Sequence, residues 1–167
     1  MDGASDHQIN LSWSDLSQFI SAASLARLEQ VAKDFAATRE MHKSDGRDLG
    51  VGRVFVRRYA APTRPWIPFH CDSAAITVNV ALASDLPQQH HGEDMSDGSE
   101  INSGRGERME GERAEGKLLV LCQGAVRCVH PRREGEATVH DSSLLHAVSR
   151  VSGDRVRYSL IVFHDLA

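Results

Sequence analysis

From Leu11 to about Met41 the apolar positions recur at helical spacing, through Leu16, Phe19 and Ile20 and then Leu25, Leu28, Val31, Ala32 and Phe35. The spacing predicts one or two amphipathic helices whose apolar stripe is core. Ser12 with Asp15, and later Ser21, are the expected N-caps. Asp45-Gly46 and Gly50-Val51-Gly52 break this pattern, and beyond them the apolar runs are short and alternating. Strands are predicted over 53–59, 76–82, 118–122, 126–129, 136–140, 144–148 and 157–163. Seven short strands after a helical start predict a mainly β fold, a sandwich, barrel or jelly roll with the helices packed outside.

Residues 84–113 interrupt the strands. They hold five glycines and only Leu86, Met95, Ile101 and Met109 as sizeable apolar side chains, too little apolar surface to offset the entropy of ordering. The stretch is expected to be a disordered insertion, and it also gathers charge: eight acids against three arginines leave it at −5, in a chain whose net charge is −4. Such a balance argues against bulk attraction to nucleic acid or to an anionic membrane. A chain of 167 residues predicts one domain over 1–167, with a helical region at 11–41 and a β core at 53–163. Asp2, Asp6 and Asp15 precede the first arginine and no continuous apolar run follows, so neither a signal peptide nor a membrane span is read and a cytoplasmic location is expected. Cys71, Cys122 and Cys128 are too few for a disulfide framework and show no C-x-x-C spacing, which points to small buried apolar residues and away from a zinc ribbon.

The candidate chemistry begins at His70-Cys71-Asp72. On extended chain an imidazole and a carboxylate two residues apart share a side, and one further histidine would make a two-histidine, one-carboxylate facial triad. With nine histidines and thirteen aspartates in the chain, the pair alone is a weak signal. It gains weight from the far end, where His146 precedes Arg157-Tyr158-Ser159 by one turn. In a strand Arg157 and Ser159 share a face with Ile161 and Phe163, so a guanidinium and a hydroxyl enter an apolar interior together. A buried cation requires an anion, and a carboxylate taken by the arginine fork with the serine adding one bond satisfies it.

At these residues the chain resembles the iron(II)- and 2-oxoglutarate-dependent dioxygenases, in particular the prolyl and lysyl hydroxylase branch. The likeness is strongest over Phe69-His70-Cys71-Asp72-Ser73-Ala74-Ala75-Ile76-Thr77-Val78-Asn79-Val80-Ala81-Leu82, and His146 with Arg157-Tyr158-Ser159 is similar to the family's last ligand and cosubstrate anchor. The resemblance implies a double-stranded β-helix (jelly roll, cupin-like). It implies His70, Asp72 and His146 as Fe(II) ligands, and Arg157 assisted by Ser159 on the distal carboxylate of 2-oxoglutarate. Tyr59 would line the cosubstrate pocket, with Thr77 and Asn79 facing the cavity. The implied reaction uses O2 and 2-oxoglutarate to hydroxylate a C–H bond of a protein side chain or small molecule, with succinate and CO2 as co-products and ascorbate as an accessory reductant.

The chain also departs from the family's pattern. One extra residue separates His146 from Arg157, and Arg155 shares its strand parity, so Arg155 is the competing anchor; only Arg157 has a serine two residues on. The expected Glu-Gly-Gly stands as Glu115-Gly116-Lys117 behind the insertion, and a tyrosine of the second strand is replaced by Ala81. Two rival readings remain: a metal-binding β-helix without turnover, serving as a sensor or interaction module, and a cupin-like metalloprotein that does not use 2-oxoglutarate. His90-His91-Gly92-Glu93-Asp94 reads as solvated loop, His140 and Asp141 as turn residues, and His130 and His164 as surface or internally satisfied histidines. Arg57, Arg58 and Arg64 are candidates for steering an anion.

Overall fold

The computed structural model describes residues 7–39, 48–84, 116–128 and 133–166. Almost all of the 84–113 stretch, with His90, His91 and their acidic neighbours, lies outside the described residues, as does His130.

Two antiparallel sheets carry the fold. The larger has the order β1 (Gln8–Leu11), β2 (Leu49–Ala60), β9 (Val156–Leu166), β4 (Ile76–Ser84) and β7 (Ala137–Asp141). The smaller has the order β3 (Ile67–His70), β8 (His146–Val148), β5 (Leu118–Cys122) and β6 (Ala125–Cys128). Neighbouring strands in these sheets are seldom consecutive in the chain, which is the crossed connectivity of a jelly roll, as the strand pattern and the resemblance imply. Each of the seven predicted strands is present, 118–122 with the expected ends and the others with ends shifted by one to four residues, residue 129 lying outside the described residues. The β5–β6 hairpin turns on Gln123 and Gly124, both at positive φ, the twist that a two-residue hairpin loop requires.

Alternation along β2, β4 and β9 separates two faces. Val54, Ile76, Val78, Val80, Leu160 and Val162 form one core cluster with Leu16, Leu28, Ala32 and Ala36, so this face lies under the helices. Helix α1 (Trp13–Leu16) is a single turn closed by a capping box: the Asp15 amide donates to Ser12 Oγ at 3.0 Å, and the Ser12 amide donates to the Asp15 carboxylate at 2.8 Å. Helix α2 (Ala22–Thr38) starts at Ser21, whose hydroxyl accepts from the Ser24 amide, and packs on β4 and β7. The opposite face carries Phe55, Tyr59, Thr77, Asn79, Arg157, Ser159, Ile161 and Phe163, all buried, and this wall holds the polar chemistry.

Several expectations need correction. The helical stripe does not begin at Leu11, which ends β1, an edge strand paired with β2. Phe19 is not core: it falls in the turn between the helices and is 75% exposed. His140 and Asp141 are not turn residues but the end of β7. Cys71 is exposed and Cys122 half-buried, so neither is a buried apolar filler, and both are free thiols. His164 is neither at the surface nor satisfied: it is buried under α2, and its Nε2 has no hydrogen-bond partner among the described residues.

Candidate metal centre and anion pocket

The histidine and aspartate candidates meet at one end of the inner wall. β3 ends at His70, and its register with β8 sets His70 directly opposite His146, with ring centroids 4.3 Å apart. The chain then bends, so Asp72 sits in the connection to β4 and not on a strand, and its carboxylate turns back between the two rings. One ligand atom each from His70, Asp72 and His146 all lie within 4.8 Å of one another. Asp72 Oδ1 is 3.4 Å from His70 Nε2, and Oδ2 is 3.7 Å from His146 Nε2.

Backbone carbonyls fix the direction of both rings. Nδ1 of His70 lies 2.9 Å from the Pro68 carbonyl and Nδ1 of His146 lies 3.0 Å from that of Leu144. A carbonyl only accepts, so each Nδ1 carries the proton and each Nε2 lone pair faces inward, the posture of a metal-ligating histidine. Thr77 on β4 donates its hydroxyl to Asp72 Oδ2 at 2.7 Å, fixing the carboxylate. Burial works against the charge on Asp72, but the adjacent His70, the hydrogen bond from Thr77 and the nearby His146 and His140 outweigh it, and its pKa is lowered to about 2. The partner effects on the histidines are opposed. Asp72 raises the pKa of His70, whereas burial lowers that of His146. A carboxylate ionised at neutral pH beside two inward nitrogen lone pairs is a donor set suited to a divalent first-row metal.

The anion pocket lies further along β9. Arg157 is 6% exposed, its guanidinium is 5.4 Å from the centre of the Tyr59 ring, and it donates to the Gly116 carbonyl. Burial lowers its pKa, and no carboxylate pairs with it among the described residues. Ser159 is fully buried, and its Oγ has no partner among the described residues. Arg155, the competing anchor, is exposed and precedes β9. Asn79 is buried on the same wall, opposite Ile161 of β9.

Sequence reasoning missed a third histidine at the metal end. His140 is paired with Thr77 in the β4–β7 register, is 5% exposed, and places its Nε2 3.7 Å from Asp72 Oδ2. The signal is alternation: in a strand 136–140, His140 shares a face with Thr138, and the β4–β7 register lays that face beside Thr77 and Asn79.

No protein-family model matches the chain, and a comparison with curated proteins returns no match. Solved structures do match. SnoN, a non-heme alpha ketoglutarate dependent epimerase from nogalamycin biosynthesis, aligns over 99% of this chain and 65% of its own, at TM-score 0.63 and 16% identity. AviO1 from Streptomyces viridochromogenes Tue57 aligns over 99% of this chain and 74% of its own, at TM-score 0.55 and 12% identity. The fold is theirs. The chain spans about half to two thirds of the length of the first solved structures it matches, from 47% to 65%. Among the described residues no helix is long and apolar enough to cross a membrane.

Proposed function

We propose that the protein is an Fe(II)- and 2-oxoglutarate-dependent oxygenase that hydroxylates a C–H bond of a protein side chain or small molecule. The observation that carries this reading is the pairing, on one inner wall, of a His-Asp-His donor set with a buried Arg157 and a buried, unpartnered Ser159 hydroxyl. A metal-binding β-helix with no anionic ligand has no need of that second pair. The name of SnoN supports the same cosubstrate.

His70, Asp72 and His146 would hold the metal, and the donor set leaves a face free for exchangeable ligands. Bound Fe(II) with 2-oxoglutarate and O2 supplies the oxidising power, coupling decarboxylation to succinate and CO2 with oxidation of the substrate. The protein's own residues do the positioning. Thr77 occupies one Asp72 oxygen and so restricts how the carboxylate can turn. The Arg157 fork and the Ser159 hydroxyl take a distal carboxylate, and Tyr59 closes that end with its ring. Phe55 and Phe163, packed edge to face with centroids 5.4 Å apart, and Ile161 form an apolar wall that keeps bulk water from the site.

The test is anaerobic addition of Fe(II) and 2-oxoglutarate, followed by O2. A metal-to-ligand charge-transfer absorption and then succinate are expected. Metal binding with neither signal would overturn the reading in favour of a cupin-like metalloprotein that does not use 2-oxoglutarate.

A further inference from the structure

The last histidine of the donor set owes its direction to a turn. Leu144 precedes β8, so no strand ladder orders its carbonyl, and that carbonyl accepts from His146 Nδ1 at 3.0 Å. The turn that carries it, residues 141–144, is closed from Asp141. Oδ1 of Asp141 accepts from the amide and the hydroxyl of Ser143, at 3.0 and 2.5 Å, and the Asp141 carbonyl accepts from the Leu144 amide at 3.3 Å. A short carboxylate bonded to the backbone two residues on clamps a turn locally, and alanine offers no such bond. Past the turn, the Leu121 amide of β5 donates to the Leu145 carbonyl at 2.9 Å, so Leu144 is held from both sides. The same turn meets the other ligand-bearing segment: Cys71, between His70 and Asp72, has its thiol 4.0 Å from the Ser143 carbonyl.

We propose that the Asp141 carboxylate is a positioning group of the metal centre, which keeps His146 aimed through the 141–144 turn. The proposal rests on the metal-centre part of the proposed function and on none of its 2-oxoglutarate chemistry. Asp141 is paired with Ile76 in the β4–β7 ladder, so the turn starts from a fixed point. Without the carboxylate the turn loses two of the bonds that shape it and the Leu144 carbonyl gains freedom. His146 then has to be ordered by the metal itself, at the cost of affinity. Arg39 approaches the other oxygen, Oδ2, with its Nε 3.7 Å away, but its side chain is 59% exposed, and an exposed pair of this kind contributes little. The bonds that matter are those of Oδ1 within the turn, and an amide oxygen accepts them as well.

The experiment loads the full chain with Co(II) as wild type, Asp141→Ala, Asp141→Asn and Arg39→Ala. It reads the dissociation constant by competition with a fluorescent chelator and the visible absorption bands of the bound Co(II). In Asp141→Ala the constant should rise about tenfold, the lower end of what losing a ligand's supporting group costs, and the bands should shift. Asp141→Asn and Arg39→Ala should keep the wild-type bands and a constant within about threefold. An Asp141→Ala constant that close to wild type overturns the proposal, and so does a weaker one with unaltered bands, which a purely structural role would give. Equal damage in Asp141→Asn or in Arg39→Ala also overturns it, since the charge or the ion pair, and not the turn, would then carry the effect. If Asp141→Ala does not fold, Ser143→Ala takes its place: it deletes one of the two bonds to Oδ1 and should raise the constant about fivefold, and an unchanged constant overturns the proposal. A wild type that binds no Co(II) overturns the metal centre and the proposal together, whereas the expected Co(II) results without 2-oxoglutarate binding uphold the proposal and overturn the oxygenase reading alone.

Discussion

Replacing Arg157 by Met should move cosubstrate affinity and stability in different ways. Methionine fills most of the arginine's volume and carries no charge, so the change isolates the guanidinium. Truncating one partner of a buried, charge-assisted pair costs about 2–5 kcal/mol of binding. At 1.4 kcal/mol per tenfold, the 2-oxoglutarate dissociation constant should rise roughly thirtyfold to several thousandfold. Stability has no matching loss. In the cosubstrate-free protein Arg157 is 6% exposed and is paired with no carboxylate among the described residues. Replacing a buried ion pair by apolar side chains is commonly neutral or stabilising by about 1–4 kcal/mol, and relief of the desolvated Arg157 charge acts in the same direction, offset here by about 1–3 kcal/mol for leaving the Gly116 carbonyl without its donor. The melting temperature should therefore change by only a few degrees. Isothermal titration of the metal-loaded protein with 2-oxoglutarate measures the first quantity, and calorimetry of the cosubstrate-free protein the second. Arg155→Ala is the control, since Arg155 is exposed and precedes β9. A dissociation constant within threefold of wild type in Arg157→Met would refute the reasoning, and a large increase in Arg155→Ala would move the anchor to that residue.

Three other outcomes follow from the same geometry. His146→Ala removes an inward nitrogen from the centre of the donor set and should weaken Co(II) binding beyond the roughly 10- to 100-fold that changes outside the ligand set cost, as read by competition with a fluorescent chelator. His164 is held neutral by burial, with Glu29 and Lys33 of α2 and the adjacent Asp165 around it, and its folded pKa lies below the ordinary 6.5. Its contribution is complete above about pH 6.5 and declines as the pH falls through the folded value, because the unfolded chain takes the proton first, at up to about 1.4 kcal/mol per pH unit for one proton. Urea midpoints between pH 8 and 5 should show this slope in the metal-free protein and a shallower one in His164→Leu, and equal slopes would refute it. Ala32 is fully buried where α2 meets the sheet, so Ala32→Leu should cost about 1–3 kcal/mol in chemical denaturation, and an unchanged midpoint would mean the interface has room.

Alternation made the larger sheet legible, because β2, β4 and β9 each bury one face under the helices and the other in the sandwich. The two strands that were missed are short. β1 alternates over only four residues, Gln8-Ile9-Asn10-Leu11, at the sheet edge with Ile9 exposed, and β3 is four residues long with Pro68 inside it. The donor set was legible for a reason independent of strand boundaries: His70, Asp72 and His146 converge although Asp72 lies in a connection. His140 was not, since its place depends on the β4–β7 register, a long-range pairing that no local pattern encodes. His164 escaped for a similar reason, as only packing of α2 decides whether that end of β9 meets solvent.

The contact between Arg157 and Gly116 bears on how this chain can change over evolutionary time. Ser84, the last residue of β4, is paired with Arg157, and Gly116, where the described chain resumes, accepts from the same arginine. Both borders of the intervening segment are thus held at one position of β9, the first by the backbone ladder and the second by the arginine side chain. Closing a loop whose ends are already held together costs little more as it lengthens, roughly 0.6 kcal/mol for each doubling. Insertions and deletions between Ser84 and Gly116 can therefore accumulate without shifting a strand of either sheet, while the arginine at that position is the residue least free to drift.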